Sequence, residues 1–150
     1  MKQIMKPEAL STLKGAQNYE SVCLNPGSAL KQPDAYSVFS ELTLLIDDKD
    51  YIPDICIYPK RRMVFGTEDI VRMTEMPSAV IEVLSPSQTF QDALEKFAIC
   101  FKAGIRSCWL VVPTMTVTVY EASETFQMFH DGEVIDSTLD VRIPFDVIFE

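Results

Sequence analysis

Three residues stand out by type and setting: Asp54 directly after Pro53, Glu82 inside the apolar run SAVIEVL, and Lys96 in the amphipathic stretch that follows. Glutamate is seldom buried unless it is paired or binds a cation, so Glu82 marks the mouth of a site or the partner of a basic group. Two carboxylates from adjacent strands make an oxygen-rich site for a hard cation such as Mg²⁺, which keeps several waters and takes only one or two protein carboxylates. A lysine nearby can orient a water and oppose the charge that grows as phosphorus is attacked. Together the three are the chemical minimum for metal-assisted phosphodiester hydrolysis.

Each also has a simpler reading. Aspartate after proline is common at turns and strand starts. Lys96 lies four residues after Asp92, and a helix-surface pair at that spacing is worth only ~0.3–0.5 kcal/mol. Glu82 resists best, because no arginine or histidine is near it in sequence, although Lys96 could pair with it without a metal. Other chemistries find less support. Ser85 and Ser87 read as residues that begin or cap a helix, since no histidine is placed to activate them. The one histidine, His130, falls in a His130-Asp131-Gly132 turn, and Cys23, Cys56, Cys100 and Cys108 form no C-x-x-C pair. This argues against a zinc site and a cysteine-histidine hydrolase, and the thiols are expected to be reduced. The acidic turn at 47–50 lacks the glycine and terminal glutamate of a calcium loop.

Positioning these residues calls for an α/β domain with a mixed sheet and few helices. Residues 37–46 and 51–58 read as two strands of a hairpin, with Pro53 suggesting an edge or a strand start. Residues 78–84 read as a strand buried on both faces. The stretch 88–103 repeats Phe90, Ala93, Leu94, Phe97, Ala98 and Phe101 at helical spacing, and Gly104 stops it. Residues 106–112 form another continuous apolar strand, with Trp109 as core packing, and strand-helix-strand order favours a parallel pair. The segments 116–120, 125–129 and 133–136 read as an antiparallel meander, and the last residues as an extended edge or short helix. Residues 60–76 read as a loop. The expected division is a short, weakly patterned segment over 1–36 and one domain over 37–150.

Thirteen basic against 22 acidic residues give a net charge of −9, which does not advertise a polyanionic partner. The excess is local. Residues 107–150 hold eight acids and one arginine, and another group surrounds Asp54, where a divalent cation would offset it. Lys60-Arg61-Arg62 follow the Asp54 strand as candidate phosphate contacts, a solvated loop being the simpler meaning. DNA binding is therefore expected to be weak without metal. No apolar run approaches the ~18 residues of a membrane span, and no apolar stretch follows the first lysines, so a cytoplasmic protein is expected.

The run PSAVIEVLSPSQTFQDALEKFAICFKAGIRSCWLVVP, with YIPDICIYP before it and TVTVYEA after it, resembles the Uma-two family of endonucleases. That family lies in the PD-(D/E)XK restriction-endonuclease-like superfamily. The likeness covers about residues 37–150, in the order Pro-Asp, Glu-Val-Leu-Ser-Pro-Ser, Asp-x-x-x-Lys, Ala-Gly-Ile and Trp-Leu-Val. It implies a restriction-endonuclease-like core and a Mg²⁺- or Mn²⁺-dependent enzyme that cleaves DNA. Asp54 and Glu82 would be the metal-binding carboxylates, with the backbone carbonyl of Val83 as a further ligand. The superfamily lysine usually sits two residues after the glutamate, where this chain has Leu84, and the resemblance maps its role to Lys96. Glu41, and Asp92 beside Lys96, would be accessory acids. Val112 and Cys108 stand where relatives carry aspartate and tyrosine. With the short amino-terminal region and the acidic charge, these departures leave an alternative: a catalytically inactive binding or assembly module, a homodimer through its sheet edges or apolar end surfaces.

Overall fold

The computed structural model describes residues 36–60, 72–113 and 116–149. Along them run β1 (Tyr36–Ser40), β2 (Thr43–Ile46), β3 (Lys49–Tyr51), β4 (Ile55–Pro59), β5 (Arg72–Met73) and β6 (Ala79–Val83). Helix α1 (Phe90–Lys102) follows, then β7 (Ser107–Val112), β8 (Thr116–Ala122), β9 (Thr125–Phe129), β10 (Glu133–Asp136), β11 (Val141–Pro144) and the helical turn α2 (Phe145–Ile148). Six strands form the central sheet in the order β1-β4-β6-β7-β8-β9. Its β6–β7 pair is parallel and its other pairs are antiparallel, so the sheet is mixed, with α1 as the crossover that a parallel pair requires.

Alternation along the strands sorts side chains to two faces. On one face Val38, Ile55, Ile57, Ile81, Val83, Trp109 and Val119 pack against β10, β11 and α2 through Val134, Val141, Ile143 and Phe145. On the other, Phe39, Cys56, Tyr58, Val80, Cys108 and Leu110 lie under α1 and a small sheet, β3-β2-β5, through Ala93, Phe97, Cys100, Leu44 and Ile46. Among the described residues no helix is long and apolar enough to cross a membrane.

Several sequence expectations change in detail. The strand expected over 37–46 breaks at Glu41, whose φ of 53° lies in the left-handed region, so β1 stays in the central sheet while β2 pairs with β3. The strand expected over 51–58 breaks at 52–54, and Pro53 precedes β4, which lies between β1 and β6 and is no edge. Asp47 and Asp48, both at positive φ, form the tight turn between β2 and β3 without glycine. The helical stripe narrows to Ala93, Phe97 and Cys100, leaving Phe90 and Ala98 exposed. The helix is capped by Thr89 and not by Ser85 or Ser87. The meander ends at β9, because β10 pairs with β11 instead. Within the expected loop over 60–76, Arg72 and Met73 pair in parallel with β2; Arg61 and Arg62 lie outside the described residues. Cys56, Cys100 and Cys108 are buried, free thiols.

Candidate functional site

The β4–β6 ladder sets Ile55 opposite Ile81, and one step further along that register places Asp54 opposite Glu82. Both side chains fall on the face beneath α1, since Asp54 shares parity with Cys56 and Glu82 with Val80. Glu82 is only 5% exposed. Asp54 is less buried and is fixed by the Val83 amide, which donates to its Oδ2 at 2.7 Å. The strand break just before β4 lets this carboxylate cross to the neighbouring strand.

Electrostatically the pair is tense. Burial pushes the Glu82 carboxyl up to about 8, and the adjacent Asp54 adds to the rise. The charge of Lys96 and the hydroxyl of Tyr51 pull it down. Burial also raises Asp54, against the Val83 amide, a hydrogen bond with Glu82 and the charge of Lys96. Two neighbouring carboxyls in a low-dielectric setting resist joint ionisation, so the two groups titrate as a linked pair. Lys96 lies in the second turn of α1, partly buried, and its charge acts on both carboxyls.

The structure therefore brings Asp54, Glu82 and Lys96 together, with Val83 between them in contact with Asp54. Glu41 stands at the kink beside them: its amide donates to the Asp54 carbonyl at 3.2 Å, and its charge contributes to the rise at Asp54. Asp92, expected as an accessory acid, closes a capping box. Its Oδ2 accepts from the Thr89 amide at 3.0 Å, and those hydrogen bonds with Thr89 hold its carboxyl below the usual range. Lys60 was expected as a candidate phosphate contact. It leaves the far end of β4, roughly 20 Å from Asp54 at ~3.3 Å per residue.

Tyr51 escaped the sequence reading. It is the last residue of β3, in the small sheet, and donates its hydroxyl to Glu82 Oε1 at 3.0 Å. Nothing in its local pattern separates it from any other tyrosine on a strand. A second buried acid, Asp136, was also missed. It accepts from Ser107 Oγ, Trp109 Nε1 at 2.7 Å, the Thr138 amide and hydroxyl at 2.9 and 2.6 Å, and the Leu139 amide at 3.4 Å. Trp109 thus packs the core, as expected, and also anchors the loop after β10.

The donor set at Glu82 fits a hard divalent cation. Two anionic oxygen groups face each other, the low-dielectric setting resists their joint ionisation, and an incoming 2+ charge relieves it. Among the described residues no group of three or more His, Cys, Asp or Glu side chains gathers.

The profile of the Uma2 family, described as "Putative restriction endonuclease", matches residues 16–146. No curated protein matches the chain. Among solved structures the chain is similar to a "putative nuclease belonging to DUF820" from Anabaena variabilis, with a TM-score of 0.66 and 22% identity. That likeness covers 97% of this chain and 81% of the other, and it shows the fold. A DrdV–DNA complex matches at 11% identity and a TM-score of 0.45, over 81% of this chain and 11% of that one. The family match spans most of the sequence, and the chain belongs to the Uma2 family, nuclease-like proteins on a restriction-endonuclease-like fold.

Proposed function

We propose that this chain is a Mg²⁺- or Mn²⁺-dependent endonuclease that hydrolyses phosphodiester bonds of DNA. Asp54 and Glu82 would hold the ion, joined by the carbonyl of Val83, and Lys96 would position the attacking water. The observation that carries this reading is the contrast between the two buried acids. Asp136 is saturated by five donors, as a structural carboxylate should be. Glu82 faces one hydroxyl, a second carboxyl and a lysine charge, an arrangement poor for stability and suited to a cation. Family membership supports nuclease chemistry and DNA as the substrate.

When bound, the ion supplies Lewis acidity to the scissile phosphate and makes water acidic enough to attack near neutral pH. The protein does the rest. Val83 and Tyr51 hold one oxygen of each carboxyl, so the ligands are oriented before substrate arrives. Lys96 donates from Nζ to the attacking water and opposes the negative charge growing on the phosphate oxygens. Burial beneath α1 lowers the local dielectric, which strengthens both effects.

Plasmid nicking with Mn²⁺ tests the proposal. Wild-type protein should nick supercoiled plasmid, and Asp54→Ala and Lys96→Ala should each lose at least about 100-fold in rate. Equal nicking by all three would overturn it and leave the fold as a catalytically inactive module.

A further inference from the structure

Strand β9 ends the central sheet: β8 pairs along one side of it, and among the described residues no strand pairs along the other. Edge strands are normally blunted by charge, proline or extreme shortness, because their open backbone groups recruit other strands. Thr125–Phe129 reads TFQMF, five residues without a charge or proline in a chain of net charge −9. Phe126 and Met128 project from it at 55% exposure each. The register sets Phe126 beside Tyr120 and Met128 beside Thr118, on the face that α1 covers further in. The Phe126 ring lies 5.2 Å from that of Tyr120, which lies 5.5 Å from that of Phe97 on the helix. An aromatic row thus runs out from under α1 and stops at an open edge.

We propose that a second copy of this chain continues the sheet across β9, antiparallel, about a two-fold axis at Gln127. The register follows from chemistry. With Gln127 on the axis, Phe126 of each copy faces Met128 of the other, and the two apolar pairs cover one another on one face. The same register sets the Glu124 carboxylate against the His130 imidazole at both ends, an acceptor opposite a donor. Both residues are exposed and flank the strand on either side. Moving the axis to Phe126 or Met128 sets Glu124 against Met128 or Gly132 and loses this complementarity. The surroundings, with Glu121, Glu124, Asp131 and Glu133, repel a polyanion and leave a protein strand as the occupant.

The test is the mass of the full chain by light scattering across micromolar to sub-millimolar concentrations, together with a cross-link. Wild-type protein should reach twice 17.0 kDa. Gln127→Cys, on the axis, should form a covalent dimer on oxidation that wild-type protein does not. Phe126→Lys, at an exposed site, should give a folded monomer by circular dichroism. Glu124→Lys should raise the dimer dissociation constant about tenfold or more, and adding His130→Glu to it should restore the dimer. Three results would overturn the proposal. One is a monomer at every concentration with no Gln127→Cys cross-link. Another is a monomer whose Gln127→Cys thiol is shielded from labelling, which would put the chain's own residues 1–35 on the edge. The third is a dimer indifferent to these substitutions, whose interface would lie elsewhere.

Discussion

Glu82 is legible in the sequence because its type contradicts its setting: a carboxylate in the middle of SAVIEVL has to be explained. Asp54 and Lys96 become legible only alongside it, since each alone is ordinary. Tyr51 was not legible, because its role depends on a separate small sheet folding back over the central one. The raised Glu82 carboxyl has a thermodynamic consequence with a definite sign. Below its ordinary value of 4.5 the group is protonated in both folded and unfolded chains, and its contribution to stability is fully present. As pH rises from there through about 8, the unfolded chain releases a proton that the folded chain retains, so this contribution is lost. In metal-free urea denaturation, wild-type protein should therefore lose stability relative to Glu82→Gln across that window. A gain relative to the variant would contradict the assignment.

At the scale of elements, the parallel pair and its crossover helix are legible in the segmental pattern, because buried strands and an amphipathic helix announce themselves by period. What it missed were interruptions. The breaks at Glu41 and at 52–54 are set by left-handed φ and by proline, and no hydrophobic pattern marks them. Those breaks are what build the site: they turn β2 and β3 out of the central sheet, place Tyr51 over Glu82, and free Asp54 to reach the Val83 amide. The helix start was misjudged for a related reason, because Ser85, Ser87 and Thr89 are all competent caps and only the reciprocal bond with Asp92 selects Thr89. The contribution of the small sheet is testable at Tyr51. Tyr51→Phe keeps the ring and removes the hydroxyl that orients Glu82. The Mn²⁺ concentration for half-maximal plasmid nicking should then rise about 10-fold or more. An unchanged metal requirement would leave the small sheet as packing only.

On the scale of the whole molecule, a net charge of −9 runs against the proposed nucleic-acid substrate. The conflict eases once the charge is placed. Much of it lies on the strands after β7, while the acids around Asp54 are those that an ion would neutralise. Lys60 follows β4 at the end of the strand away from Asp54. Lys96→Ala keeps both carboxylates and should bind duplex DNA weakly without metal and at least about tenfold more tightly with Mn²⁺. Fluorescence anisotropy checks this, and tight metal-free binding would contradict it. Calorimetric titration of Mn²⁺ bears most directly on the pairing of Asp54 with Glu82. Wild-type protein and Lys96→Ala should bind the ion, and Asp54→Asn and Glu82→Gln should lose that binding. Binding to Glu82→Gln indistinguishable from wild type would contradict the account.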